Sequence, residues 1–317
     1  MNSSFRLLKK HFQLDSKYSY LNHGSFGACP YPIFNEREKF QKEIEFQPVS
    51  FVESRAAELL DWSRDALSSY LHCNKDDVVY FPNPTTAMNM VIRSLDLNPG
   101  DEVLSSNHEY GAVERTWKFV SKKKGFSYKS IDIPLPFNKE DFINRIREGI
   151  TSKTKIIFLS HITSPTAIIF PIAEICALAK EQNIMTIIDG AHAPAQIDLN
   201  LETLGADIYT GACHKWMLCP KGVAFLYASP EFQDSLDPLV VSWGWESDTP
   251  SHSQFLDYHQ YQGTNDVSAY LAVPSAIDFL NEHNWNEVRD YCHEKIIKTN
   301  NEKIIDLNAI LFFSFSV

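Results

Sequence analysis

Two residues define the chemistry open to this chain. Asp189 closes the run Ile187-Ile-Asp, and Lys215 lies in Gly211-Ala-Cys-His-Lys-Trp216, twenty-six positions later (215 − 189). A lysine amine condenses with an aldehyde to give a Schiff base. A carboxylate at a strand end keeps a ring nitrogen protonated, so that the ring withdraws electrons from whatever the imine carries. These are the two demands of pyridoxal phosphate. Taken singly, an Asp after a strand is more often a cap or turn residue, and a lysine is more often solvated. Context argues against both bland readings. Asp189 leads into Gly190-Ala-His192, a small-residue turn that lets a flat ring approach, with an imidazole three residues on. Lys215 stands among Cys213, Trp216 and Met217. Apolar surroundings disfavour the ammonium form and make the amine a nucleophile near neutral pH. His192 would then donate to the phenolate oxygen of the ring or sit over the imine, and His214 would face the phosphate.

Two further motifs fit the same ligand. Asn83-Pro-Thr-Thr-Ala-Met-Asn89 opens a helix after the strand Val78–Phe81, and helix N-terminal amides with two adjacent hydroxyls cradle a phosphate dianion. Ordinary capping by Thr is the competing reading. Asn107-His-Glu-Tyr110 follows a strand ending at Ser106 and offers His108 or Tyr110 as a ring to stack on a planar cofactor; the motif does not choose between them.

The elements that must position these residues form an α/β pattern. Short apolar runs at 102–106, 155–160, 184–189, 207–210 and 222–227 alternate with helical segments at 109–123, 138–148 and 171–182. Strands that are apolar on both faces and separated by helices belong to a mostly parallel, doubly wound sheet. Ligands gather beyond the carboxyl ends of such strands, where Ser160-His161, Asp189 and the loop to Lys215 fall. Amphipathic helices are expected at 33–46 and 51–71. Another is expected at 268–280, capped by Asn265 or Asp266 and kinked at Pro274. The expected organisation is an N-terminal segment (1–32), a cofactor-binding large domain (33–265) and a partial C-terminal small domain (266–317). That last part ends in an uncharged, β-prone run, Leu311–Val317, suggesting a truncated or altered form.

The 317 residues are 44% hydrophobic and 22% charged, with a formal net charge of −11. That balance argues against nucleic-acid or anionic-membrane partners. The N-terminus lacks a secretory signature, no apolar stretch has membrane-spanning length, and the six cysteines show neither C-x-x-C nor zinc-ligand spacing. A cytoplasmic, metal-free enzyme is the expectation. No G-x-G-x-x-G follows an early strand, which removes a dinucleotide-binding dehydrogenase.

In their order, these motifs resemble the class V aminotransferase family of pyridoxal-phosphate enzymes (fold type I), on the isopenicillin N epimerase-like branch, with cysteine desulfurases as more distant relatives. The resemblance runs from about Leu21 to His293. It is carried by Leu21-Asn-His-Gly-Ser-Phe-Gly27, Asn83-Pro-Thr-Thr-Ala87, Asn107-His-Glu-Tyr-Gly-Ala112, Ser160-His-Ile-Thr-Ser-Pro-Thr166, Asp189-Gly-Ala-His192, Gly211-Ala-Cys-His-Lys-Trp216 and Gln262-Gly-Thr-Asn-Asp266. It implies that Lys215 is the Schiff-base lysine and the acid/base at the substrate α-carbon. Asp189 pairs with the pyridinium and His192 lies near the ring oxygen. Thr85, Thr86, Ala87, Ser164 and His214 join the cofactor site, and Thr264 reaches the phosphate of a neighbouring subunit in a homodimer. Asn22 and His23 line the pocket of an amino-acid substrate, with His23 or Tyr110 as guesses for a second acid/base. The implied activity is epimerisation or transamination; a cysteine desulfurase, another β-lyase or a catalytically impaired homologue are the alternatives. The sequence departs from the family pattern twice. The C-terminal region that carries an arginine for the substrate carboxylate is absent or replaced, and Ala167 stands where glycine is common.

Overall fold

The computed structural model describes residues 8–301. Its strands are β1 (Val78–Phe81), β2 (Glu102–Ser106), β3 (Ser127–Ile131), β4 (Thr154–Ser160), β5 (Met185–Asp189), β6 (Ile208–Ala212) and β7 (Ala224–Ala228). They form one sheet in the order β1-β7-β6-β5-β4-β2-β3. The five strands from β3 to β6 run parallel, as the sequence pattern predicts. β7 is antiparallel to both β6 and β1. It follows β6 through the loop 213–223, which is too short to hold the crossover helix that a parallel return needs. β3 is not legible in the sequence. Its residues, Ser-Tyr-Lys-Ser-Ile, are polar and half-exposed because it is an edge strand.

Each central strand is apolar on both faces because helices cover both. In β4, Ile156 and Phe158 point into one core, and Ile157 and Leu159 into the other. Helices α1 (Tyr31–Phe46), α2 (Ala56–Leu71), α3 (Pro84–Ser94), α4 (Gly111–Lys124), α5 (Lys139–Gly149), α6 (Ile172–Glu181), α7 (Ser268–Leu271), α8 (Val273–Glu282) and α9 (Trp285–Asn301) divide between these faces. Met88 and Val91 of α3 and Trp117 of α4 fill one core. The other is built from α1, α2, α5, α6 and the α7–α8 pair through Ile33, Leu67, Phe142, Ile175, Leu271 and Phe279.

The expected helix at 51–71 begins with a π-helical turn, Phe51–Arg55, whose Phe51 is buried. The expected helix at 268–280 breaks at Ala272 into α7 and α8. Pro274 lies in the first turn of α8, where its missing N–H costs nothing. The N-cap position of α7 is Val267 rather than Asn265 or Asp266, although Asp266, one residue earlier, accepts from the Ser268 amide at 2.9 Å. The tail 302–317, with its apolar run, lies outside the described residues. Among the described residues no helix is long and apolar enough to cross a membrane.

Candidate active site

Strand register places Ser160, Asp189 and Thr210 side by side at the carboxyl ends of β4, β5 and β6. Asp189 is only 3% exposed. Gly190 follows it against the face of Tyr209, where an added Cβ would meet the ring at 2.1 Å, so only glycine fits. That turn brings the Ala191 amide back to donate to Asp189 Oδ1 at 3.0 Å. The other carboxylate oxygen carries no hydrogen bond among the described residues. Burial pushes the carboxyl up; the Ala191 amide and the charge of Lys215 pull it back.

Lys215 is held by a tight loop. The amides of Cys213 and His214 both donate to the Val223 carbonyl (3.1 Å each), and the Cys219 amide donates to Cys213 O at 3.0 Å. Leu218, three residues after the lysine, is left-handed at φ 65°, a conformation that costs a non-glycine residue about 1–2 kcal/mol. Lys215 Nζ lies 3.0 Å from His192 Nε2, and the Trp216 indole N–H donates to His192 Nδ1 at 3.3 Å. An indole nitrogen only donates, so Nδ1 is bare and the proton of neutral His192 sits on Nε2. The lysine amine then accepts from that N–H, which requires its lone pair. Burial favours the same state: it lowers Lys215 to about 8, against the pull of Asp189, and His192 to about 3, with Lys215 contributing.

At the start of α3, Asn83 Oδ1 accepts from the Thr86 amide (2.8 Å) and the Thr86 hydroxyl (3.0 Å). The Ala87 amide donates to Asn83 O. The Thr85 amide and hydroxyl donate to nothing among the described residues. The cap is Asn83, acting through Thr86, where the sequence reading gave capping to Thr; the Thr85 amide and hydroxyl are left open. His214 Nδ1–H donates to the Val223 carbonyl at 2.7 Å, leaving Nε2 open. Burial lowers its pKa.

His108 is fully engaged elsewhere. Its Nε2–H donates to the Ile133 carbonyl at 2.8 Å, so its Nδ1 accepts from the Thr166 hydroxyl at 3.1 Å. Tyr110 is 43% exposed, and its phenol has no such tether. Ser164 lies half-buried in the loop after β4, without a hydrogen bond among the described residues. In the same loop Ala167 takes φ 52°, the left-handed conformation that glycine adopts freely.

The N-terminal stretch that includes Asn22 and His23 is seated on the lysine loop. An added Cβ on Gly27 would lie 2.1 Å from Lys215 O and 2.5 Å from His214 O, so the two backbones touch. Lys221 donates to Gly27 O. The His23 ring stacks on Trp216 (6.1 Å, 25° between planes), and burial, aided by Lys221, lowers it to about 4. Asn22 caps the single turn His23–Phe26, accepting from the Ser25 amide at 3.0 Å. Thr264 is exposed on a separate loop, where its hydroxyl pairs with that of Tyr261 at 3.2 Å. Within this chain the structure brings together Asp189, His192, Lys215, Trp216 and the 22–27 stretch; it does not bring Thr264 to them.

Sequence reasoning missed two residues of this region. Trp216 fixes the His192 tautomer, and adjacency to His214-Lys215 was its only signal. Glu109 is buried beside Ser160 and was read as the first residue of a helix that in fact begins at Gly111.

Comparison with known proteins gives the following. The family model described as "Aminotransferase class-V" matches residues 38–314. Isopenicillin N epimerase of Amycolatopsis lactamdurans is 32% identical over 299 residues, covering 90% of this chain and 75% of that protein. Putative L-cysteine desulfhydrase 1 of Oryza sativa subsp. japonica is 29% identical over 298 residues, covering 88% of this chain and 61% of the relative. Among solved structures, a C-DES mutant with glycine covalently linked to its PLP cofactor superposes with a TM-score of 0.79 at 20% identity. It covers 87% of this chain and 74% of that one, a likeness of fold.

Proposed function

The chain belongs to the aminotransferase class-V family, and on that premise we propose that it is a pyridoxal-phosphate enzyme moving a proton at the α-carbon of an amino acid, most like an isopenicillin N epimerase. The observation that carries this reading is the His192–Lys215 pair beside Asp189. A lysine amine of lowered pKa, a buried carboxylate with one unpaired oxygen and an open helix terminus match the aldehyde, ring nitrogen and phosphate of the cofactor. When bound, that cofactor supplies an electron sink for the electron pair left at the α-carbon.

The residues supply the rest. Asp189 holds the ring nitrogen protonated. Lys215 Nζ would carry the cofactor and would be the base that takes or returns the α-proton. His192 Nε2–H, freed from Nζ, donates to the ring oxygen. Thr85, whose amide and hydroxyl are open, would hold the phosphate at the α3 terminus with Ser164 and His214 beside it; Thr86 and Ala87 would join by giving up their bonds to Asn83. Tyr110, 43% exposed where His108 is 7%, would be the ring that covers the cofactor. Asn22 and His23 face the substrate end. Thr264, exposed and remote from these groups in its own chain, serves the phosphate of a partner subunit in a homodimer.

A second reading has its own support. The rice relative is a putative L-cysteine desulfhydrase, and carbon–sulfur bond cleavage begins with the same proton removal. The two readings separate when cysteine and other amino acids are incubated with reconstituted protein in D2O. Deuterium at the α-carbon with the amino group retained supports epimerisation. Sulfide release from cysteine supports the lyase. A protein that binds the cofactor but exchanges no α-proton of any amino acid refutes both.

A further inference from the structure

Glu109 lies at the β2 edge of the site, and the mechanism above does not use it. Its Oε1 is 2.6 Å from the Ser106 hydroxyl, and its Oε2 accepts from both the amide and the hydroxyl of Ser160, each at 2.7 Å. Ser160 is the β4 register partner of Asp189, so two buried carboxyl groups share the carboxyl edge of the sheet. No lysine or arginine forms an ion pair with Glu109 among the described residues. The ionisable groups near it are Asp189 on β5 and Tyr128 on β3. Lys215 and Tyr209 lie beyond, on the Asp189 side.

The donor set fixes where a proton can sit. The Ser160 amide only donates, so Oε2 is always an acceptor. The Ser106 hydroxyl both donates and accepts, so Oε1 can be bare or protonated without breaking a contact. This carboxyl changes protonation state with no rearrangement of its neighbours.

We propose that Glu109 is a proton-adjusting residue of the site: a carboxyl that releases its Oε1 proton to solvent when a pyridinium settles against Asp189. The inference rests on the pyridoxal-phosphate reading. A pyridinium seated against Asp189 brings a positive charge close to Glu109, which favours loss of the Glu109 proton and leaves a second carboxylate beside Asp189. Burial and the Asp189 charge raise Glu109 to about 7, so near neutral pH about half of the molecules have a proton to release.

The test is calorimetric titration of ligand-free protein with pyridoxal phosphate near pH 7, in two non-phosphate buffers of different ionisation enthalpy. The difference between buffers gives the protons exchanged per site. Wild type should release about half a proton more than Glu109→Gln, because every other proton change is common to both. In infrared difference spectra, a protonated-carboxyl band should vanish on cofactor addition in wild type. Equal proton counts, or no carboxyl band lost, overturn the proposal while leaving cofactor binding intact. If Glu109→Gln folds poorly, the wild-type infrared spectrum alone decides. Wild-type protein that takes up no pyridoxal phosphate removes the parent reading as well.

Discussion

Replacing Lys215 with methionine should reveal how much stability the folded protein forgoes to keep a free amine in this site. Lys215 is lowered from 10.5 to about 8, chiefly by burial. Each pH unit is about 1.4 kcal/mol, so the depression corresponds to roughly 3 kcal/mol, or about 2 kcal/mol once discounted for partial solvent contact. The sign follows from proton counting. Between pH 8 and 10.5 the unfolded chain holds a proton on this amine that the folded chain has released, so wild-type stability rises with pH across that window. Methionine has no such proton. The stability of Lys215→Met minus that of wild type should therefore shrink by about 2 kcal/mol from pH 7 to 10.5. Losing the Lys215 partner of His192 Nε2 adds a cost of about 1–2 kcal/mol. The assay is urea unfolding of both ligand-free proteins at several pH values, with matched slopes. A difference that stays flat to within about 0.5 kcal/mol across the window would refute the claim that the lysine is buried and neutral.

Three further outcomes follow from local geometry. Gly27→Ala drives a Cβ against the Lys215 carbonyl, backbone on backbone, and should cost about 2–4 kcal/mol in urea unfolding and speed proteolysis before residue 27. Ala167→Gly relaxes the left-handed backbone but frees the unfolded chain, so it should stay within about 0.5 kcal/mol of wild type; Ala167→Val should lose about 1–2 kcal/mol. Tyr110→Ala should weaken cofactor binding about tenfold, for the loss of about 1–1.5 kcal/mol of ring contact, and leave the ligand-free protein as stable as before. His108→Ala, which strips partners from Ile133 O and Thr166, should instead lower stability by about 1–3 kcal/mol.

Much of this architecture is legible in the sequence because its signals are local. Continuous apolar runs such as Ile187-Ile-Asp189 mark strands buried on both faces, and the residue ending each run lies at the ligand-bearing edge of the sheet. The partnership of Asp189 and Lys215 could be inferred because each follows such a strand. What escaped depends on contacts between distant segments. β3 has the polar composition of an edge strand, so its periodicity is weak. Nothing local to Glu109 announces that Ser160, fifty-one positions away, will supply two of its donors. Nor does any spacing rule bring Ile133 and Thr166 to the ring nitrogens of His108. The seating of Gly27 on the Lys215 loop was likewise invisible, although a glycine at that position is what a backbone contact demands.

The central claim is that Lys215 is the residue that binds the cofactor. Pyridoxal phosphate is added to the purified protein, excess is removed, the complex is reduced with borohydride, and the digest is analysed by mass spectrometry. The account predicts a visible absorption band before reduction and a single pyridoxyl adduct on the peptide containing Lys215, both lost in Lys215→Ala. A colourless protein, or an adduct on a different lysine, would contradict it.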